Sequence, residues 1–224
     1  MDRIYWSTGQ FVLGMFKGAA VVAVYAVAIQ LQAIYMGFST AISGVFLPKV
    51  TAMVTKENNE KAISDLFIRT GRIQYIIIAF ILTGFVVFGK SFIRLWAGSD
   101  YEDAYGITLC FFIPMTVPLI QNLGIIILQA RNQMKFRSTL YVVIAFVSLV
   151  ISIPLSKQYG GIGCAISIAL ALTTGQIIVM NIYYHRVIHI DILDFWKEIG
   201  KMSLVPFAIG SLSFYLFCIY EIHT

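Results

Sequence analysis

Residues 104 to 130 read AYGITLCFFIPMTVPLIQNLGIIILQA, without one Asp, Glu, Lys, Arg or His. At about 1.5 Å of rise per residue, about 20 apolar residues make a helix that crosses a bilayer, so this stretch predicts a membrane span. It also carries its own interruptions: Pro114 and Pro118, then Gln121, Asn122, Gly124 and Gln129. Each proline removes a backbone donor and bends the helix. Carbonyls freed at membrane depth must face protein or water, not lipid. Gln121 and Asn122 follow Pro118 by three and four residues, and adjacent helical residues point about 100° apart. Two readings stand for this face: a solvated pathway, or an interhelical hydrogen bond that holds a bundle together.

Working outward, five more stretches have the same character. They are 18–48, 72–96, 138–156, 161–184 and 202–220. In the second, Lys90 and Arg94 snorkel so that the helix reaches the interfacial Trp96. The chain is 59% hydrophobic and 12% charged, against about 25% charged for soluble proteins, with mean hydropathy +0.84. The expected fold class is therefore all-α, a polytopic membrane helix bundle of about six transmembrane helices. Met1-Asp2-Arg3 leads into a polar patch rather than a secretory signal.

The loops fix the expected orientation. Lys49, Lys56, Lys61, Arg69, Arg72, Arg131, Lys135, Arg137, Arg186, Lys197 and Lys201 fall on one side, eleven of the sixteen cations. Arg3, Lys17, Lys90, Arg94 and Lys157 fall on the other, with the acidic group Asp100, Glu102 and Asp103. The richer side is expected in the cytoplasm. That places loops 49–72, 131–137 and 185–201 inside the cell and the carboxy terminus outside, in a multi-pass protein of the inner (plasma) membrane. The net charge of +5 is then a topology signal facing anionic lipid, and no nucleic acid partner is expected.

Two loops are amphipathic. Residues 58–70 put Ala62, Ile63, Leu66, Phe67 and Thr70 on one side, which reads as a short helix on the inner membrane surface. Residues 189–200 present Ile192, Phe195, Trp196 and Ile199 similarly, either toward lipid or as a docked connector. The pairs Ser39/Ser43 and Thr40/Gly44 are small residues four apart, suited to close helix contact. Gly160-Gly161-Ile162-Gly163 opens a membrane helix, and no strand precedes it, so a nucleotide loop is not expected. Cys110, Cys164 and Cys218 sit in apolar stretches as small buried hydrophobes. His185 and His189 lack a third ligand. No ionisable residue lies deep in a span, and no catalytic residues, metal or cofactor are expected; the protein is not read as an enzyme.

Short motifs spread along most of the chain give a resemblance. They are Gln10-Phe11-Val12-Leu13-Gly14, Val22-Ala23-Val24-Tyr25, Phe46-Leu47-Pro48-Lys49, Gly71-Arg72-Ile73-Gln74-Tyr75 and Leu95-Trp96-Ala97-Gly98, then Gln121-Asn122 with Gln129-Ala130, Lys135-Phe136-Arg137-Ser138 and Asn181-Ile182-Tyr183-Tyr184. In this order and spacing the chain resembles the oligosaccharide flippases of the polysaccharide-transporter family, within the multidrug/oligosaccharidyl-lipid/polysaccharide exporter superfamily.

The resemblance implies one lobe of a two-lobe fold, the carboxy-terminal half. Residues 1–17 would be a partial helix at the start, the end of a truncated helix, with an outer connection, and 18–184 a five-helix membrane lobe. Residues 185–201 would be a cytoplasmic amphipathic connector, and 202–224 an additional transmembrane helix with an outer tail. The implied substrate is an undecaprenyl-diphosphate oligosaccharide moved across the membrane for cell-surface polysaccharide biosynthesis. It calls for cations against the diphosphate and amides against sugar hydroxyls. The candidate binding residues are Arg3, Gln10, Gln121, Asn122 and Gln129; Arg3 lies where resembling proteins line their cavity. Alternating access needs two lobes, so a fragment or half-transporter is expected, partnered by membrane lipids and by a missing amino-terminal lobe or second subunit. Two other readings are a cation-coupled small-molecule efflux protein, with Asp2 as the candidate acid, and a non-transporting scaffold of the polysaccharide assembly machinery.

Overall fold

The structure, a computed structural model, describes residues 9–10, 13–15, 17–56, 60–204 and 206. Among the described residues there is no strand, and the molecule is an all-α bundle. In chain order the helices are α1 (Ala19–Val45), α2 (Leu47–Lys56), α3 (Glu60–Trp96), α4 (Ala104–Ile120), α5 (Leu123–Ala130), α6 (Met134–Leu172), a π-helical segment (Thr173–Val179) and α7 (Met180–Arg186). A final helix, α8, covers residues 192–204.

Among the described residues three helices are long and apolar enough to cross a membrane, or four when the bent pair α4–α5 counts as one. The longest runs from Met134 to Arg186, 53 residues, which would reach about 80 Å if straight. It does not run straight. Gly160 takes φ 61° and ψ −133°, a conformation that L side chains avoid, and the chain folds back there. Ile144 then lies against Gly175, and the Leu155 carbonyl against Gly163, where any Cβ would collide. The two arms are antiparallel, each long enough to cross the membrane. Large side chains face outward around the bundle, including Phe80, Phe88, Ile113, Val142 and Phe146. Such a belt has a stable environment in lipid and none in water. The expected sixth span begins with the helical residues 202–204; the rest lies largely outside the described residues.

Helix α4 is the axis of the bundle, in contact with α1, α3 and α6. Between helices in lipid the water-driven hydrophobic force is absent, so close packing and hydrogen bonds hold them. Tyr35 of α1 stacks on Phe112 of α4 with ring centroids 4.1 Å apart, and its hydroxyl lies 2.9 Å from the Thr116 hydroxyl. Gln74 of α3, fully buried, donates to the hydroxyls of Ser39 and Ser43 at 3.3 and 2.5 Å. Ser39 and Ser43 are thus buried hydrogen-bonding partners, whereas the other expected contact pair, Thr40 and Gly44, is exposed, and a Cβ at Gly44 would meet nothing within 4 Å.

One expectation is corrected. Residues 58–70 do not form a separate surface helix: from Glu60 they are the first turns of α3, a single helix of 37 residues. At about 55 Å it outreaches a hydrocarbon core of about 30 Å, so its charged turns project beyond the membrane. No helix breaker separates them from the apolar part, and nothing stops propagation. Their apolar face meets protein instead of lipid: Ile63, Phe67 and Thr70 are buried, with Phe67 5.1 Å from Phe195 and 5.9 Å from Tyr184 between ring centroids. Ile192, Phe195 and Ile199 of α8 are buried against the bundle, so α8 is a docked connector. Gly71 makes the room for it, since a Cβ there would strike the Phe195 ring.

The three cation-rich loops meet at one end. Arg131 donates to the Ile188 carbonyl (3.2 Å), the Asp191 amide donates to Ser64 (2.9 Å), and Glu198 faces Arg72 (3.4 Å) and Lys201 (2.8 Å). At the other end Glu102 faces Lys90 and Arg94 at 3.7 and 3.6 Å. The hydrogen bond from Lys201, with the Lys201 and Arg72 charges, holds the Glu198 carboxyl below the ordinary carboxylate range. A depressed acid stabilises the folded form above its unfolded pKa and loses that contribution as pH falls through the folded one. Docking of α8 should therefore persist down to about pH 4.3, the ordinary glutamate value, and weaken only below it. Glu198→Gln should remove that acid step from a pH series of hydrogen exchange in residues 192–204; an unchanged step would refute the assignment.

Candidate functional site: a cleft along a broken span

The predicted kink in the 104–130 stretch is a true break. α4 and α5 meet at 48°, and Gln121 and Asn122 form the turn between them. Near the break the backbone finds partners outside its own helix. Ser39 of α1 donates to the Leu119 carbonyl at 2.6 Å, while the Asn122 amide reaches that same carbonyl at 3.3 Å. This is the internal satisfaction that irregular backbone at membrane depth demands.

A cleft of about 350 Å³ lies along the bend. Its walls come from α1 (Met36, Thr40, Ser43, Gly44), from α4 and α5 (Met115, Pro118, Leu119, Asn122, Ile125, Ile126, Gln129), and from the two arms beyond (Met134, Arg137, Tyr141, Leu172, Gln176). Two irregular features therefore converge on it beside the first turn of α6: the broken span and the π-helical segment that holds Gln176. Discontinuous helices lining a polar cavity are how membrane proteins build solute sites.

The polar wall has one sign of charge. Arg137 contributes a cation, and no Asp or Glu lines the cleft among the described residues. Arg137 Nη2 donates to the Tyr141 hydroxyl at 2.9 Å, and the guanidinium carbon sits 4.9 Å from the Tyr141 ring centroid. Both contacts fix the guanidinium plane. Arg137 Nε and Gln176 Nε2 are buried and have no hydrogen-bond partner among the described residues. The Thr40 hydroxyl is returned to its own helix, donating to the Met36 and Gly37 carbonyls at 3.2 and 3.1 Å.

The five sequence candidates are not one cluster. Asn122, 7% exposed, and the exposed Gln129 line the cleft. Gln121, 2% exposed, turns away and donates to Asn181 Oδ1 at 2.8 Å. The adjacent amides thus divide between the two readings of that face, one on the cavity and one in an interhelical bond. Gln10 is half-buried in the short helical piece before α1, apart from the cleft. Arg3, like Asp2, lies outside the described residues.

Asn181 is a junction. Its Oδ1 also accepts the Trp196 indole N–H at 3.0 Å. An indole donates only, which fixes the amide orientation and leaves Nδ2 for the Ile177 carbonyl. One side chain therefore ties the broken span to the docked connector.

Sequence reasoning missed Arg137, Tyr141 and Gln176. Arg137 counted as a loop cation beside Arg131 and Lys135, although Tyr141 one turn on offered a partner at i+4. Gln176 carried a usable signal: an amide in the middle of an uncharged span is expensive in lipid and marks protein or water contact.

No protein-family model matches the chain, and no solved structure matches it. Among curated proteins it is similar to "Probable flippase AglR" of Haloferax volcanii, 22% identical over 174 residues, which is 76% of this chain and 36% of that relative. The match thus spans about a third of the relative's length. The chain is a multi-pass membrane protein, distantly similar to a probable flippase.

Proposed function

We propose that this chain is the carboxy-terminal, cavity-lining lobe of a flippase for lipid-linked oligosaccharide in cell-surface polysaccharide biosynthesis. The cation-rich end lies in the cytoplasm, and transport involves no covalent chemistry on the protein. The observation that carries the proposal is the break at Gln121–Asn122, with a mainly apolar cleft along it whose polar groups include Arg137, Asn122 and Gln129. The distant similarity to a flippase supports it.

Size argues for a second lobe. About 350 Å³ sits at the low end of small-ligand pockets, about 300–1,000 Å³. It takes a headgroup and the first sugar, not a whole oligosaccharide. The remaining sugars then need a facing surface, which a partnering lobe supplies in an alternating-access transporter. The cation-coupled efflux reading fits less well, because a cation needs acidic ligands and no acid lines the cleft among the described residues.

The test places Asn122→Ala and Gln129→Ala together at the native locus. Losing two amide hydrogen bonds at about 0.5–1.5 kcal/mol each should slow translocation about tenfold. Lipid-linked oligosaccharide should then accumulate on the cytoplasmic leaflet, read by its protection from an added periplasmic or external glycosidase. Unchanged leaflet distribution after deletion of the whole locus would overturn the proposal.

A further inference from the structure

We propose that Arg137, Tyr141 and Gln176 form an oxyanion site for a phosphate or diphosphate group. The inference deepens the flippase reading and rests on it only for the lipid origin of that group.

Two buried donors on the cleft have no partner among the described residues. Gln176 is 4% exposed, it lines the cleft, and its Nε2 has no partner among the described residues. Arg137 Nε is in the same condition, on the same cleft. Buried donors are nearly always satisfied, and a charged one left unmade is the most costly kind. Both groups donate, so the missing partner is an acceptor. The wall offers no carboxylate among the described residues, so an anionic acceptor for them has to come from a ligand.

The donor set selects the ligand further. A guanidinium presents a rigid fork that matches phosphate oxygens. Tyr141 holds that fork by a hydrogen bond and by its ring face, so the donors are oriented before anything binds. Arg137 also sits in the first turn of α6, which begins at Met134, where the helix end adds positive potential. Gln176 belongs to the π-helical segment Thr173–Val179, a backbone form frequent at functional sites. A neutral sugar needs no cation, and a metal ion would be repelled by one. An oxyanion uses every one of these groups.

The experiment uses the full chain in phosphatidylcholine nanodiscs, with radiolabelled geranylgeranyl diphosphate and inorganic pyrophosphate as separate probes. Wild type should bind the prenyl diphosphate, and Arg137→Gln should weaken binding about tenfold or more, the size of a lost charge-assisted bond. Gln176→Leu should weaken it severalfold. Lys135→Gln removes the same charge from an exposed position nearby and should leave affinity within about twofold, as surface charges do at physiological salt. Equal losses in Lys135→Gln and Arg137→Gln would reduce the effect to diffuse surface charge and overturn the site. Full affinity in Arg137→Gln would overturn it too. If Arg137→Gln is not recovered folded, Gln176→Leu decides alone. Tighter binding of the prenyl diphosphate than of pyrophosphate assigns the site to a lipid headgroup, and equal binding supports a site for free diphosphate. Binding lost in Arg137→Gln, with leaflet distribution unchanged by deletion of the whole locus, keeps the site and removes the flippase reading. Intact binding in Arg137→Gln, with translocation failing in the Asn122/Gln129 double variant, does the reverse.

Discussion

Asn181→Leu should loosen two separate parts of the protein at once. Asn181 Oδ1 accepts from Gln121 at 2.8 Å and from Trp196 at 3.0 Å, and its Nδ2 donates to the Ile177 carbonyl. Leucine has similar bulk but no polar atom. It would leave the buried Gln121 amide and the half-buried indole N–H without their acceptor. Each orphaned buried donor costs about 1–3 kcal/mol in a protein interior. Interhelical bonds in membranes average nearer about 0.6 kcal/mol, because the separated helices find other partners. The larger figure governs here, since the Gln121 side chain is 2% exposed and so is enclosed by protein. A loss of about 2–4 kcal/mol is therefore expected, read as a lowered midpoint in detergent thermal unfolding. The sharper readout is hydrogen exchange, which should rise in residues 121–130 and in 192–204 together. A rise confined to either segment would refute Asn181 as the link between them. Asn181→Gln, which keeps an amide of different reach, should recover part of the protection.

Gly124→Leu should be more damaging still. A Cβ at Gly124 would stand 2.6 Å from the Tyr184 Cζ and 2.7 Å from its hydroxyl oxygen, closer than real Cβ contacts come. The ring cannot step aside, because Tyr184 is 3% exposed and is held by Phe67. Overpacking of this kind costs about 1–3 kcal/mol for one added methyl group, and more for a branched side chain. Gly124→Ala should therefore fold with reduced thermal stability, and Gly124→Leu should fail to give monodisperse protein. Gly37 supplies the opposite sign. It is exposed within α1, and a Cβ there meets nothing within 4 Å. Gly37→Ala should be neutral or stabilising by up to about 1 kcal/mol through helix propensity alone. If Gly124→Ala and Gly37→Ala behaved alike in a thermal series, the close approach of α5 to α7 would be wrong.

Both results depend on contacts that the linear chain signals only in part. Gly124 is one glycine among 17, and nothing in its neighbours says that a tyrosine 60 residues later fills its place. Asn181 stands in a motif quoted for resemblance, without a partner. The turn at Gly160 was more legible, because a glycine cluster between two apolar runs is the usual place for a membrane hairpin to reverse. The distinction is physical. Periodicity and breakers are properties of a segment, whereas a packing contact belongs to two segments and to the angle between them.

The sequence by itself determined that this chain crosses a membrane several times as helices. Runs of uncharged residues longer than a bilayer is thick leave the backbone no other way to satisfy its hydrogen bonds. It also located the interruption at Gln121–Asn122, since proline and amide chemistry act locally, and it grouped the loops that meet at one end. Only the tertiary structure decided that the charged turns of 60–70 extend a span, that Gln121 faces a partner while Asn122 faces the cleft, and that Arg137 is part of the wall. Those outcomes follow from a 48° bend and a reversal at Gly160, which bring together residues from four stretches of chain. A cation counted in a loop became a cavity donor because the helix it begins starts at the mouth of that bend.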